Sequence, residues 1–425
     1  MAEFELLRSA LERNREAYLK PLRELVGIDT HCLGHGIDGG LEKEGQAYMA
    51  RLMEDLGAEV VVRQMAEEDI QAALSLYREG NSGHNYDGRE NVYGLFRGGG
   101  GRSLLFNGHM DTMPAGKLSL WKHPPHGAVV EDGKLYGLGA ADMKGGLMAA
   151  VMAVKLLKDA GFGLPGDVTI TSVADEEGGG NGSIAAAVQG LKADGVVVCE
   201  PTNGKLIAAH MGFVFFKVRV TGLATHSGNK WMGVSAIEKA MALIRAIDEL
   251  EHRWLLRYKH PLLPAPNLNV GTIRGGAAGS TVPDECVFEM CVHYLPVQMN
   301  YDQVVEEFTS AIGWATRGDA WLSQHPPEVK VYQAGGAFEM DPLHPFAHAF
   351  RSAHEAATGR EVQIVGSPAG CDSRVWRNIA GCPTLQFGPG RLEECHAADE
   401  YVALDSYFEA ILTYASLILT WCAKT

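Results

Sequence analysis

Apolar positions recur at helical spacing over residues 4–25 and again over 44–56, where Gly57 supplies a C-terminal stop. Residues 81–90 (NSGHNYDGRE) and 98–101 are polar and glycine-rich, the composition of loops. Beyond them the texture changes: short apolar runs end in polar or charged residues. Residues 103–106 run into NGHMD, Val168–Val173 into ADEE, and 195–199 into Glu200-Pro201, with helical stretches over Gly145–Asp159 and 183–191 between them. This alternation predicts an α/β fold, a mostly parallel sheet with helices on both faces. In such sheets ligands bind in the crevice beyond the carboxyl ends of the strands. All three runs deliver acidic or histidine side chains at that end.

After Gly212 the pattern shifts again. FVFFKVRVTG alternates as a half-exposed strand does, a helix follows over 234–250, CVFEMCVHYL reads as a second strand, and 301–314 as a second helix. Glycines at 271, 275, 276 and 279 mark hairpin-like turns. Two strands and two helices predict an inserted α+β domain over 212–332, within a discontinuous domain of residues 1–211 and 333–425.

A chain of 425 residues has room for more than one core. With 37 Lys+Arg against 52 Asp+Glu it carries a formal charge of −15, which argues against a nucleic-acid partner, since phosphate neutralisation needs clustered cations. The eight cysteines are scattered without a CxxC pair, the usage of free thiols in a reducing compartment. The amphipathic, charged N-terminus has no apolar core of a signal peptide, and GLMAAVMAV is too short to span a bilayer, so the expectation is a cytoplasmic protein with no membrane partner.

The chemistry lies at the strand ends. His109 and Asp111 are two apart, on one side of an extended segment. The pair suits a metal-bound imidazole whose other nitrogen donates to a carboxylate. Asp142 sits in a glycine-rich turn entering a helix, Glu176 and Glu177 are adjacent, Glu200 closes the next strand, and His396 lies far downstream in ECHAADE. Adjacent residues on an extended tail point in different directions, so one of the two glutamates can bind metal while the other faces the water to be activated. Two histidines and three carboxylates suit Zn²⁺, with Co²⁺ or Mn²⁺ as other occupants. One carboxylate can bridge two ions about 3.5–4 Å apart, and metal coordination brings the pKa of water down to roughly 7, as amide hydrolysis requires. A carboxylate held off the metal can then serve as general base. Taken singly, each residue has a bland alternative: a solvated Glu pair, a strand-terminal Glu, a structural His. The convergence of three strand ends on one crevice favours the site.

FNGHMDTMPAG, LYGLGAADMKGG, ADEEGGGNG, CEPTNGK, GLATHSG and FGPGRLEECHAADEYV, in order from about residue 104 to 401, resemble the motifs of the dinuclear-zinc family of acetylornithine deacetylase, succinyl-diaminopimelate desuccinylase, aminoacylase and glutamate carboxypeptidase. The resemblance implies a zinc-exopeptidase-like catalytic domain with an inserted lid and dimerisation domain. It implies that Asp142 bridges two divalent cations, that His109 and Glu200 complete one site and Glu177 and His396 the other, that Glu176 is the general base, and that Asp111 orients His109. It further implies a cis peptide after Asp142 and a role for His226 in steadying the oxyanion in a neighbouring subunit's site, hence a homodimer through the inserted domain. From the residues alone, His226 reads as a surface-loop histidine.

The chain departs from that pattern where relatives that bind a substrate carboxylate carry Asn, Asp and Arg: here stand Ser280, Cys291 and His293. Loss of that Arg removes a bidentate carboxylate clamp. Ser280, His293, Arg274 and Arg374 are candidate substrate contacts, the two arginines equally readable as structural. The expected activity is metal-dependent hydrolysis of a small-molecule N-acyl amide, an N-acylated amino acid or related amine. The alternatives are a dipeptidase or carboxypeptidase of the same fold, or a binding module that has kept the fold, against which the complete ligand set argues.

Overall fold

Four parallel strands lie side by side in the order Val168–Val173, Leu104–His109, Val196–Val198, Thr384–Gln386, at the centre of a mixed sheet in the computed structural model, which describes residues 2–423. Their carboxyl ends therefore share one edge. The flanks are antiparallel: Glu90–Phe96 pairs with Val168–Val173, Glu59–Gln64 lies outside it, and Leu206–His210 pairs with Thr384–Gln386. The mostly parallel sheet expected from the sequence is thus found at the centre only. Parallel strands need cover on both faces, and Glu59–Gln64 is exposed along most of its length.

Successive residues of the central strand Leu104–His109 serve opposite layers. Leu105 packs with Ala186 and Trp376 from the helices Asn181–Val188 and Ser373–Asn378. Phe106, on the other face, meets Tyr414 of the helix Leu404–Trp421 with ring centroids 4.8 Å apart. The helix Gly145–Asp159 approaches closely. A Cβ on Gly146 would lie 1.8 Å from the carbonyl oxygen of Cys199, so only glycine lets the first turn of this helix sit beside the end of Val196–Val198. At the N-terminus the single helical pattern forms two helices, Ala2–Arg13 and Arg15–Val26, because Asn14 leaves helical geometry (φ −150°, ψ 51°).

The chain divides into two compact units, residues 1–208 with 340–365 and 371–425, and residues 209–339 with the short segment 366–370. The second unit is a four-stranded antiparallel sheet in the order Asn267–Gly275, Glu285–Tyr294, Gly212–Thr221, Glu328–Gly335. Val214, Phe216, Val218 and Val220 alternate into a core with Leu243 and Ile247 of the helix Ala236–Arg257 and Val304 and Phe308 of the helix Tyr301–Arg317. Phe216 stacks on Phe308 at 3.9 Å. The two strands not expected from the sequence, Asn267–Gly275 and Glu328–Gly335, are the edges of this sheet; each turns only a short alternation, Leu268 and Val270 or Val329 and Val331, to the core. Among the described residues no helix is long and apolar enough to cross a membrane.

Candidate metal centre

Strand geometry places four of the acidic or histidine positions directly. His109 ends its strand, Glu176 and Glu177 follow Val168–Val173 in a tight turn, and Glu200 lies just past Val196–Val198. Asp142 and His396 come from connecting segments, brought together by pairing of Lys134–Tyr136 with Tyr401–Ala403. All of these residues belong to the first unit. The peptide between Asp142 and Met143 is cis.

The donor atoms gather in two groups, His109 with Glu176 and Glu200, and Asp142 with Glu177 and His396. Asp142 touches both: one carboxylate oxygen is 3.0 Å from His109 Nε2, the other 3.3 Å from His396 Nε2. His109 Nε2 is 3.8 Å from Glu200 Oε1, and His396 Nε2 is 3.1 Å from Glu177 Oε1. Ligands about 2.0–2.1 Å from one tetrahedral zinc ion lie roughly 3.3 Å apart. The spacing here fits side chains arranged around ions.

Electrostatics point the same way. Burial, and then neighbouring acids, push the carboxyls of Glu176 and Glu200 well above the usual range, and burial raises that of Glu177. Asp142 is held low although burial opposes it, because the imidazoles of His109 and His396 lie against its two oxygens. His396 rises to about 11 through its bonds to Asp142 and Glu177. So many buried carboxylates against two imidazoles call for additional positive charge, and bound cations reverse such shifts. The residues present therefore fit a pair of divalent ions.

Buried carboxylates that are not in either donor group hold the turns that carry the donors. Asp111 was expected to receive the second N–H of His109. Instead His109 Nδ1 donates to the backbone carbonyl of Asp111 at 2.8 Å, with the nearer carboxylate oxygen 3.8 Å away. A carbonyl only accepts, so Nδ1 carries a proton, and in the neutral ring Nε2 is the nitrogen with a lone pair to offer a cation on the side of Asp142 and Glu200. The Asp111 carboxylate is engaged elsewhere, accepting from the backbone N–H groups of Glu176 (3.1 Å) and Glu177 (3.0 Å). Glu400 does the same for the other turn, accepting from Gly139 (3.0 Å), Ala141 (2.9 Å) and Asp142 (3.0 Å). Glu400 and Asp175, which precedes the glutamate pair, were not singled out from the sequence, although both stand inside recognised motifs beside proposed ligands.

Arg374 is corrected as a substrate contact. It is 2 % exposed, pairs with Glu79 at 3.0 Å and donates to the carbonyls of Cys371 and Gly179, both at 2.8 Å. Its guanidinium is built into the scaffold. The other candidates lie in the second unit. Thr225–His226 pairs with Thr281–Val282, and Ser227 N–H donates to the Ser280 carbonyl at 2.8 Å, so the His226 and Ser280 loops are neighbours. His226 Nδ1 accepts from Gly228 N–H at 3.1 Å, which leaves Nε2 as the protonated, donating nitrogen of its neutral ring. Arg274 is exposed on an edge strand, and His293 lies 3.3 Å from Asn267 on the neighbouring strand.

Comparison with known proteins agrees with this geometry. The model of peptidase family M20/M25/M40 matches residues 105–420. The chain is 31% identical over 366 residues to N-formyl-4-amino-5-aminomethyl-2-methylpyrimidine deformylase of Bacillus subtilis (strain 168), covering 80% of this chain and 84% of that protein. It is 30% identical over 310 residues to acetylornithine deacetylase of Proteus mirabilis (strain HI4320), covering 72% and 76%. The fold is similar to that of the M20 family metallo-carboxypeptidase Sso-CP2 from Sulfolobus solfataricus (TM-score 0.75, 18% identity, 95% of this chain and 99% of that one). The chain belongs to peptidase family M20/M25/M40 and is a metal-dependent hydrolase of amide C–N bonds.

Proposed function

We propose that this enzyme removes a small acyl group, formyl or acetyl, from the nitrogen of a small-molecule amine, with two Zn²⁺ ions at its centre and Co²⁺ or Mn²⁺ as possible replacements. The observation that carries the reading is the division of the Asp142 carboxylate between His109 and His396. His109, Glu200 and Asp142 would hold one ion, and Asp142, Glu177 and His396 the other. When bound, such ions polarise the amide carbonyl and make water acidic enough to be a nucleophile near neutral pH.

The protein's own groups do the rest. Glu176 takes the proton from the attacking water and returns it to the departing amine. Burial and the nearby Asp372 raise its carboxyl, the direction a base working near neutral pH requires. His226 donates its Nε2–H to the developing oxyanion, from a neighbouring chain in a homodimer formed through the unit of residues 209–339, which would act as lid and dimerisation domain to the catalytic unit. Ser280, His293 and Arg274 would contact the substrate. Relatives named for deformylation and deacetylation support the acyl half of this reading. The residues at 280, 291 and 293 support a deacylase over a peptidase, since Ser, Cys and His offer no bidentate clamp for a peptide carboxylate. The eight cysteines are all free, which fits a cytoplasmic setting.

A panel of N-formyl, N-acetyl and N-succinyl amines beside dipeptides, assayed with metal-reconstituted enzyme, is expected to show turnover of an N-formyl or N-acetyl amine and little of dipeptides; preference for dipeptides overturns the deacylase reading. Glu176→Gln is expected to retain both ions while kcat falls by about 10²–10⁴-fold; near-full turnover with both metals bound removes Glu176 as the base. His226→Ala is expected to lower kcat about 10²–10³-fold with unchanged metal content. A forced monomer that turns over normally rules out action across the dimer.

A further inference from the structure

Behind the Glu176–Glu177 turn lies a buried charged network that the reaction above does not use. Arg89 is fully buried between two acids. Its Nε donates to Glu42 at 2.9 and 3.1 Å, its Nη2 also binds Glu42, and its Nη1 donates to Asp175 Oδ1 at 2.8 Å. The other oxygen of Asp175 accepts from Asn181 Nδ2 at 2.9 Å and pairs with His84 Nδ1 at 2.7 Å. Packing leaves no slack: a Cβ on Gly36 would come 2.0 Å from Asp175 Oδ1, and one on Gly178 2.4 Å.

Stability does not account for this arrangement. A buried ion pair contributes little compared with well-packed apolar groups, because desolvation opposes the Coulombic gain. Position does account for it. Asp175 has φ +61°, the left-handed region that a residue with a Cβ rarely occupies. From that conformation its carbonyl accepts from Gly180 N–H (3.1 Å) and Asn181 N–H (3.2 Å), closing the turn that carries Glu176 and Glu177. With the side chain held by Arg89, His84 and Asn181, and the next two N–H groups held by Asp111, the turn is fixed from both ends.

We infer that Arg89, acting through Asp175, is a positioning residue that sets the orientation of Glu176 and Glu177. This rests on the reading of that pair as general base and metal ligand. Arg89 reaches Asp175 with one arm of its planar fork while the rest is anchored on Glu42, a two-sided hold that a lysine ammonium does not reproduce.

The test compares Arg89→Lys and the paired change Glu42→Gln with Arg89→Met, which removes the buried ion pair together, against wild type. The readouts are thermal melting of the metal-free protein, Zn²⁺ stoichiometry and affinity by calorimetry, and kcat and KM at saturating Zn²⁺ on the preferred substrate of the panel. Both variants are expected to melt cooperatively. Affinity for the more weakly bound ion should fall about tenfold or more. At saturating metal, kcat should fall about 30- to 100-fold while KM stays within about threefold, the signature of a misplaced catalytic group. Arg89→Lys should be the milder of the two. A lower melting temperature with wild-type Zn²⁺ affinity and kcat per folded molecule would show a purely structural role and overturn the inference. If the paired variant does not fold, Arg89→Lys decides by the same two numbers. Failure of the underlying reading is separately visible: there Glu176→Gln would keep its activity whatever the Arg89 variants do.

Discussion

One carboxylate organises the centre. Asp142 presents its two oxygens to two histidines that are 287 positions apart in the chain, His109 at the end of a central strand and His396 in a connecting loop (396 − 109). Asp142 reaches them from the segment just before the helix Gly145–Asp159, whose start is pressed against the end of the strand Val196–Val198. That approach depends on the missing side chain of Gly146 beside the Cys199 carbonyl. The parallel centre of the sheet then supplies the remaining donors without special geometry, because parallel strands finish at one edge and their next residues face the same crevice.

Such a concentration of acids is costly without cations, and the protein answers the cost structurally. Asp111, Glu400 and Asp175 spend their carboxylates on holding backbone or on a buried arginine, and each of these contacts lies on a turn that carries a donor. Rigid turns hold the acids close together when mutual repulsion would spread them. A divalent ion that enters then meets ligands already in place, and ordering them adds little to the cost of binding.

That His109, Asp142, Glu176, Glu177, Glu200 and His396 come together was legible from the sequence because their chemistry and their position agree: acids and histidines at the ends of apolar runs, in a glycine-rich context, and in the order of known motifs. The helix Gly145–Asp159 was legible as a long apolar stretch with its lysines only in the second half, and the strand Val168–Val173 as alternating apolar and β-branched residues running into ADEE. The edge strands Asn267–Gly275 and Glu328–Gly335 were missed although both alternate, Leu268 with Val270 and Val329 with Val331 facing the core; each alternation covers only two apolar positions, too short a run to stand out beside FVFFKVRVTG. Arg374 and Asp111 misled in a different way. A residue type shows what a side chain can bind, and only the fold shows that Arg374 is enclosed by Glu79 and two carbonyls, or that Asp111 holds His109 by its carbonyl while its carboxylate serves the Glu176–Glu177 turn. Arg89 left no local signal, since its partners Glu42 and Asp175 lie 47 and 86 positions away.

The claim that Asp142 is shared between two ions is tested most directly by anomalous diffraction from crystals grown with Zn²⁺. The account predicts two peaks about 3.5–4 Å apart on either side of the Asp142 carboxylate, one beside His109 and Glu200 and the other beside Glu177 and His396. A single peak, or two peaks that do not share Asp142, would contradict it.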